Sequence, residues 1–161
     1  MIDLQRFHHY GMAVADIDAA QEMFAKGLNL RFAPVRNFAS FPFWTPEQGA
    51  HVVNVFATYS IEGPVRLELV QGTGPFYDPG RLPDARHLGL WVDDVATEAS
   101  TLTAQGWRTI ASGAAPEDGW GVIAYMAPPV PGLLVELIAT SLKPAIDEWT
   151  AWWDAGGFRP G

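Results

Sequence analysis

The feature that most constrains the fold is an internal repeat, in which residues 9–32 (HYGMAVADIDAAQEMFAKGLNLRF) match residues 87–110 (HLGLWVDDVATEASTLTAQGWRTI). Each copy begins with the pattern His-x-Gly-x-x-Val, which predicts a strand, and an aspartate follows two residues after the valine. About ten residues of helical pattern come next, and they end at a glycine, Gly27 or Gly106, that suits a helix C-cap. The repeat therefore predicts two equivalent units, each a strand followed by a helix.

Three further strand candidates follow each helix, so the repeat extends beyond the aligned segments. They are NLRFAPVRNF, HVVNVFATYS and VRLELVQ in the first copy, and GWRTIAS, WGVIAYM and GLLVELIA in the second. The last strand of each copy carries Glu-Leu and a hydrophobic residue, at Glu68 and Glu136. We predict an α+β fold of two βαβββ modules, residues 1–72 and 86–140, joined by a Gly- and Pro-rich linker, residues 73–85.

The C-terminal segment, residues 141–161, has no counterpart in the repeat. Pro144 suits the start of a helix, and Ile146, Trp149 and Trp153 fall on one helical stripe. We expect a helix that packs on the domain or on a second subunit, and the alternative is a lid over a pocket.

Composition excludes several classes of function. The net charge of −8 argues against a protein that binds nucleic-acid phosphates, which would need a basic patch. The chain has no cysteine, so it has no thiolate zinc site and no cysteine nucleophile. It has neither an N-terminal signal pattern nor an apolar run of membrane-spanning length, and we expect a cytoplasmic protein without a membrane partner.

Each repeated histidine has a glycine beside it on the same face of its strand. Alternate residues of a strand share a face, which groups His9 with Gly11 and His87 with Gly89. The residues between them are apolar, and we expect them to face the helix of their own module. A glycine next to the imidazole leaves room for a neighbouring strand, an ion or a ligand.

The repeated glutamates indicate a buried charge. Both faces of the strand around Glu136 are otherwise apolar, and an unpaired buried carboxylate costs several kcal/mol or becomes protonated. A cation is the simplest compensation. Glu68 shares its face with Arg66, so an exposed face is an alternative there, but its place in the repeat favours the same role as Glu136.

If the two modules pair their sheets with pseudo-twofold symmetry, these four side chains converge: His9, Glu68, His87 and Glu136. Two imidazole nitrogens and two carboxylate oxygens suit a divalent metal ion (Zn, Co, Ni, Mn, Mg or Fe), with positions left for water or substrate. His8 and His51 lack repeat counterparts, and we expect both to be structural or exposed, with His8 on the helix-facing side of its strand.

These residues resemble the vicinal oxygen chelate superfamily, which holds glyoxalase I, methylmalonyl-CoA epimerase, fosfomycin and bleomycin resistance proteins and extradiol dioxygenases. The resemblance rests on HHYGMAV, VRLELVQ, RHLGLWVDD and LLVELI, and it covers nearly all of residues 7–139. It implies paired modules that form a cupped mixed sheet around a metal cleft, and metal ligands at His9, Glu68, His87 and Glu136. Two-module chains of this type often pair, so we expect a homodimer.

One segment resembles the methylmalonyl-CoA epimerases in particular. TPEQGAHVVNVFA (45–57) is similar to their Glu-Gln-Gly-Val strand entry, which implies that Glu47 is a proton-transfer base; an exposed turn is the alternative. The chain has only ten Lys and Arg and no basic cluster for a coenzyme A nucleotide. The insert NFASFPFWTPEQG could line a hydrophobic pocket or pack in a dimer, through its aromatic residues Phe38, Phe41, Phe43 and Trp44.

The function that these features favour is metal-assisted proton transfer next to a carbonyl group, as in an epimerase, an isomerase or a glyoxalase-type lyase. The substrate would be a small molecule, hydrophobic or an acyl-CoA, and Glu47 and Glu136 are the candidate catalytic bases. An Fe(II) ring-cleaving dioxygenase would use two histidines and one carboxylate, and the fourth ligand, Glu68, argues against it. A metal-free small-molecule (drug) binding protein would have no need of buried carboxylates.

Overall fold

The repeat folds into two halves with the same order of elements. The computed structural model describes residues 3–61, 65–81 and 85–151. The first half contains β1 Phe7–Ala13, α1 Ile17–Leu28, β2 Arg36–Thr45, β3 Gly49–Tyr59 and β4 Arg66–Gly72. The second contains β5 His87–Val92, α2 Val95–Ala104, β6 Arg108–Ser112, β7 Ile123–Ala127 and β8 Leu134–Ala139, and α3 Lys143–Ala151 follows it.

The eight strands close into one barrel, in the order β1-β4-β3-β2-β6-β7-β8-β5. Within each half the first and last strands pair in parallel, β1 with β4 and β5 with β8, and the other neighbours pair antiparallel. The halves meet along β1 and β5 and, by a single residue pair, along β2 and β6. The expected α+β fold with a mixed curved sheet is confirmed, and the sheet is a closed barrel. The module boundaries at residues 72, 86 and 140 stay predictions.

Both repeat helices pack on the outside of the barrel. Asp16 and Asp94 begin them as N-caps, since each carboxylate accepts a hydrogen bond from a backbone N–H three residues on. Against α2 lies one hydrophobic cluster, which includes Ala99, Met126 and Leu137, and α1 packs on a second cluster, with Leu69. The barrel interior is therefore left for side chains that point away from the helices.

The end of α1 differs from the prediction. Gly27 lies inside the helix, and Asn29 takes the left-handed conformation that ends it, with φ of 55°. In the second half Gly106 has φ of 88° and lies just beyond the helix end, as a C-terminal glycine does.

Most of the aromatic insert belongs to a strand, and residues 46–48 form the turn that follows it. β2 runs from Arg36 to Thr45, so only the last residues of the predicted strand NLRFAPVRNF belong to it. Residues 29–35 form just an isolated bridge between Phe32 and Ser60, because Asn29 turns the chain and Pro34 has no N–H to donate to a ladder.

The predicted C-terminal helix is present as α3, and it packs on the barrel through Ile146 and the buried Trp149. Trp153 lies outside the described residues. Among the described helices, none combines the length and the apolar character needed to cross a membrane.

Candidate metal centre

The pairing of strands brings the four repeated side chains together. Across the antiparallel β1–β5 pair, His9 lies opposite Gly89 and Gly11 lies opposite His87. On the outer sides of this pair, Glu68 of β4 is level with Gly11, and Glu136 of β8 is level with Gly89. The barrel interior therefore holds two equivalent rows, each with one histidine and one glutamate.

The four side chains meet in a buried cluster. The Nε2 atoms of His9 and His87 are 3.0 Å apart. Glu136 Oε2 lies 3.1 Å from His9 Nε2, and Glu68 Oε2 lies 3.1 Å from His87 Nε2. All four ligand atoms fall within 4.8 Å of one another, and the residues are 5% exposed or less. We find the convergence that the repeat predicts.

The two glycines explain why the histidine motif occurs twice. A Cβ on Gly89 would lie 2.2 Å from Cε1 of His9, and a Cβ on Gly11 would lie 2.1 Å from Cε1 of His87. Real Cβ atoms do not come that close to other atoms. Each half of the chain therefore supplies the space that the imidazole of the other half occupies.

The electrostatics of the cluster favour a cation. Burial lowers the pKa of His87, but the carboxylates of Glu136 and Glu68 outweigh it and raise that pKa to about 9. Burial raises the pKa of Glu68, but His9 and His87 outweigh it and lower that pKa to about 2. The raised pKa of His87 and the lowered pKa of Glu68 both show that the buried carboxylates favour positive charge beside them.

The donor set fits a divalent metal ion. Two imidazole nitrogens and two carboxylate oxygens are the ligands of zinc and other first-row metals, whose bonds of about 2.0–2.2 Å would link atoms about 3–4 Å apart. The Nδ1–H of His87 donates to the carbonyl oxygen of Ala85 at 2.7 Å, which leaves its Nε2 facing the cluster with a lone pair when the ring is neutral.

His8 is buried inside the barrel, so its predicted helix-facing position is wrong. Its ring lies 4.7 Å from Trp91 and 5.3 Å from Tyr59, which both belong to the interior core. The register of β1 against β5 shifts between Phe7 and His9, and this irregularity accompanies the inward turn. Its Nδ1 lies 2.8 Å from Nδ1 of His9, while its own Nε2 has no hydrogen-bond partner.

The burial of His8 also affects its charge. Desolvation, and then the nearby His9, lower the pKa of His8 to about 3, so its ring is neutral. For His9 to present Nε2 to a metal, its Nδ1–H must donate to Nδ1 of His8. His51, by contrast, is half-buried at the start of β3, with Nδ1 2.8 Å from the Gly49 carbonyl oxygen, and has the structural role expected of it.

Two tyrosines next to the glutamates were missed by the sequence reasoning. Tyr59 lies opposite Glu68 across β3–β4, and Tyr125 lies opposite Glu136 across β7–β8. Burial first, and then the carboxylates, raise the pKa of both phenols well above 10, so both remain protonated. The signal was available, because FATYS and VIAYM place a tyrosine in corresponding strands of the two copies.

A cavity of about 200 Å³ adjoins the cluster, and Glu68 and Glu136 line it. Its other lining is mostly aromatic and aliphatic. Phe38 and Phe41 of the aromatic segment line this cavity, whereas Phe43 is buried against Phe76 and Tyr77.

The structure places Glu47 elsewhere. Its carboxylate accepts two hydrogen bonds from Arg81, at 2.7 and 2.8 Å, and it is exposed. Both residues line a second cavity, with Arg108 and Phe76, and Glu47 does not line the cavity beside the cluster. The catalytic role that the resemblance implies for Glu47 stays a prediction without geometric support.

The chain is similar to several solved structures. The chain is similar to a hypothetical protein, BH1468, from Bacillus halodurans C-125, with 17% identity, 83% of this chain and 92% of that chain covered, and a TM-score of 0.55. It is also similar to methylmalonyl-CoA epimerase from Mycobacterium tuberculosis, with 18% identity, coverage of 87% and 91%, and a TM-score of 0.46. A mutant of 4-hydroxymandelate synthase from Streptomyces coelicolor matches with 18% identity and a TM-score of 0.49, over 81% of this chain and 36% of that one.

No curated protein matches the sequence. The sequence profile described as the Glyoxalase/Bleomycin resistance protein/Dioxygenase superfamily matches residues 8–125, a span that includes His9, Glu68 and His87. The chain therefore belongs to the glyoxalase/bleomycin resistance protein/dioxygenase superfamily.

Proposed function

We propose that this protein is a metal-dependent enzyme that moves a proton on a carbon next to a carbonyl group, as an epimerase, an isomerase or a glyoxalase-type lyase. The observation that carries the proposal is the contact between the four-residue cluster and the apolar cavity, through Glu68 and Glu136. The ligands would be His9, Glu68, His87 and Glu136. A divalent metal bound there would polarise a substrate carbonyl oxygen and make the adjacent C–H more acidic.

The two glutamates would have different roles. Glu68 lies 3.1 Å from His87 Nε2 and would remain bound to the metal as a ligand. Glu136 lines the same cavity, so its carboxylate would accept the proton from the substrate carbon and return it to another carbon or to the opposite face. Tyr125, which is protonated and lies opposite Glu136, would donate a hydrogen bond to a substrate oxygen beside Glu136.

The metal requirement is tested by elemental analysis of the purified protein and of a His9→Ala variant. We expect about one equivalent of a divalent metal in the protein, and a large loss in the variant. The metal-free binding protein would be the better hypothesis if the intact chain neither carried nor took up metal.

The role of Glu136 is tested by proton exchange in deuterated water, with phenylpyruvate as an enolisable carbonyl probe. The metal-loaded protein should accelerate deuterium incorporation at the carbon next to the carbonyl, and Glu136→Gln should abolish the acceleration. Retained exchange in the variant would refute its role as base. Oxygen uptake with a catechol, strictly dependent on Fe(II), would instead support the dioxygenase.

We also propose that the protein works as a homodimer in the cytoplasm. Support for the dimer comes from the outer face of β3, where Val52 and Phe56 are exposed on either side of Asn54, and α1 and α2 pack on other strands. Light scattering coupled to gel filtration tests this, and a monomer at micromolar concentration would contradict it.

A further inference from the structure

The cavity beside the cluster is apolar, apart from the end where the glutamates lie. Tyr59, Tyr77 and Tyr125 are buried around it, and aliphatic side chains such as Val70 and Ile138 complete the wall. Among the described residues that line it, Arg36 is the one cationic side chain.

The helix α3 forms one wall of this cavity. Leu142, Ala145, Ile146 and Trp149 all line it, and they come from one side of the C-terminal segment. Leu142 and Ile146 are only half-buried, as expected of side chains that face a cavity rather than a packed core.

Trp149 connects α3 to the first half of the chain through a hydrogen bond and ring contacts. Its Nε1–H donates to the carbonyl oxygen of Pro34 at 2.7 Å, and its ring lies 5.1 Å from that of Tyr59. The guanidinium of Arg36 lies 4.7 Å above the same ring. These contacts hold the helix in place and also engage the one cation of the cavity lining in a cation–π contact.

The volume restricts what can bind. About 200 Å³ is below the roughly 300–1,000 Å³ of pockets for drug-sized ligands. A coenzyme A thioester would need cations for its phosphates, and Arg36 is the one cationic side chain among the described residues that line the cavity.

We propose that the substrate is a small carbonyl compound with an aromatic or branched aliphatic body, bound in this cavity against α3, rather than a coenzyme A thioester. This inference rests on the proposed function for the chemistry at the carbonyl group. The identity of the ligand depends on the cavity alone, so binding can be tested separately from turnover. The apolar body contacts the tyrosine-lined wall, and α3 determines how large that body can be.

The test is calorimetric titration of the full chain, with and without added Zn²⁺, using three probes. Phenylpyruvate and 4-methyl-2-oxopentanoate represent the proposed class, and methylmalonyl-CoA represents the thioesters. With Zn²⁺ present, we expect each of the two small oxo acids to bind with a stoichiometry of one. Under the same conditions the thioester should bind at least about tenfold more weakly. Tighter binding of methylmalonyl-CoA, or no binding of either oxo acid at millimolar concentration, would overturn the proposal.

Two matched variants place the binding in the cavity. Ile146→Trp introduces an indole on the cavity side of α3, and Glu148→Trp introduces the same side chain at an exposed position of the helix that does not line the cavity. We expect Ile146→Trp to weaken oxo-acid binding at least about tenfold, and Glu148→Trp to change it less than twofold. Equal affinities in both variants would contradict the proposed location.

The same samples separate the two hypotheses. Binding of phenylpyruvate without proton exchange would contradict the proposed function and leave the substrate class standing. Proton exchange on methylmalonyl-CoA, with weak binding of the oxo acids, would support the proposed function and overturn the substrate class.

Discussion

Replacing Gly89 with alanine should remove metal binding, although the residue is not a ligand. The new Cβ would lie 2.2 Å from Cε1 of His9 and 2.5 Å from both ring nitrogens, while ordinary contact begins at 3.4 Å. The ring would have to retreat by about 1.2 Å, the difference between 3.4 and 2.2 Å. His9 is fully buried, with His8, Tyr59 and His87 around it, so it has little room to do so.

Metal bonds tolerate displacements of only about 0.2 Å, so Nε2 of His9 would leave the ligand set. We expect metal affinity to fall at least about 100-fold, or about 2.7 kcal/mol, as judged by competition with a chromophoric chelator. Overpacking should also destabilise the fold by about 1–3 kcal/mol in urea unfolding.

The matched control is Gly27→Ala, because a Cβ at Gly27 would have nothing within 4 Å. Gly27 lies in α1, where alanine should stabilise the fold by up to about 1 kcal/mol and leave metal affinity unchanged. Wild-type metal affinity in Gly89→Ala would refute the argument that the glycine exists to accommodate the imidazole.

Three further predictions follow from the site and the fold. Removing the metal with a chelator should lower the free energy of unfolding by about 2.7 kcal/mol when free metal had been at 100 times its Kd, a fall in Tm of roughly 5–10 °C; an unchanged Tm would contradict the metal site. His8→Ala should weaken metal binding about 10- to 100-fold, because Nδ1 of His9 loses its hydrogen-bond partner. His8→Asn, whose amide oxygen can take the place of Nδ1 of His8, should restore most of the affinity. Equal metal affinities of His8→Ala and the wild type would show that His8 does not position His9. Asp94→Ala should cost about 1 kcal/mol in urea unfolding, since it removes the cap on the N–H of Thr97, and should leave metal affinity unchanged.

The repeat made most of the site predictable. Strand alternation places His9 on one face, and the matching position of His87 in the second copy identifies its partner, so two local patterns yield a non-local cluster. The same argument assigned Glu68, although Arg66 beside it left an exposed face as an alternative. The barrel resolves this, because Arg66 donates to the Ser60 carbonyl oxygen while Glu68 is buried.

What the sequence could not predict depends on contacts between distant segments. His8 turns inward where β1 shifts register against β5, and nothing in the residues around it signals this shift. Glu47 is held by Arg81, which lies 34 residues further along the chain, so a local motif could not reveal its orientation. The hydrogen bond from Trp149 to Pro34, which holds α3 beside the cavity, joins residues 115 positions apart.

Gly11 makes room for His87, and Gly89 makes room for His9. A substitution at one of these positions in one copy therefore constrains the other copy. A larger side chain at either glycine would clash first with the imidazole of the opposite copy, so the halves cannot diverge independently at these four positions. One half without the other would have an empty space beside its glycine, and its own imidazole would lack the space that the other half provides. An ancestral single-copy chain could have built this centre only by pairing with a second molecule of itself, and duplication within one gene would have made that partnership permanent.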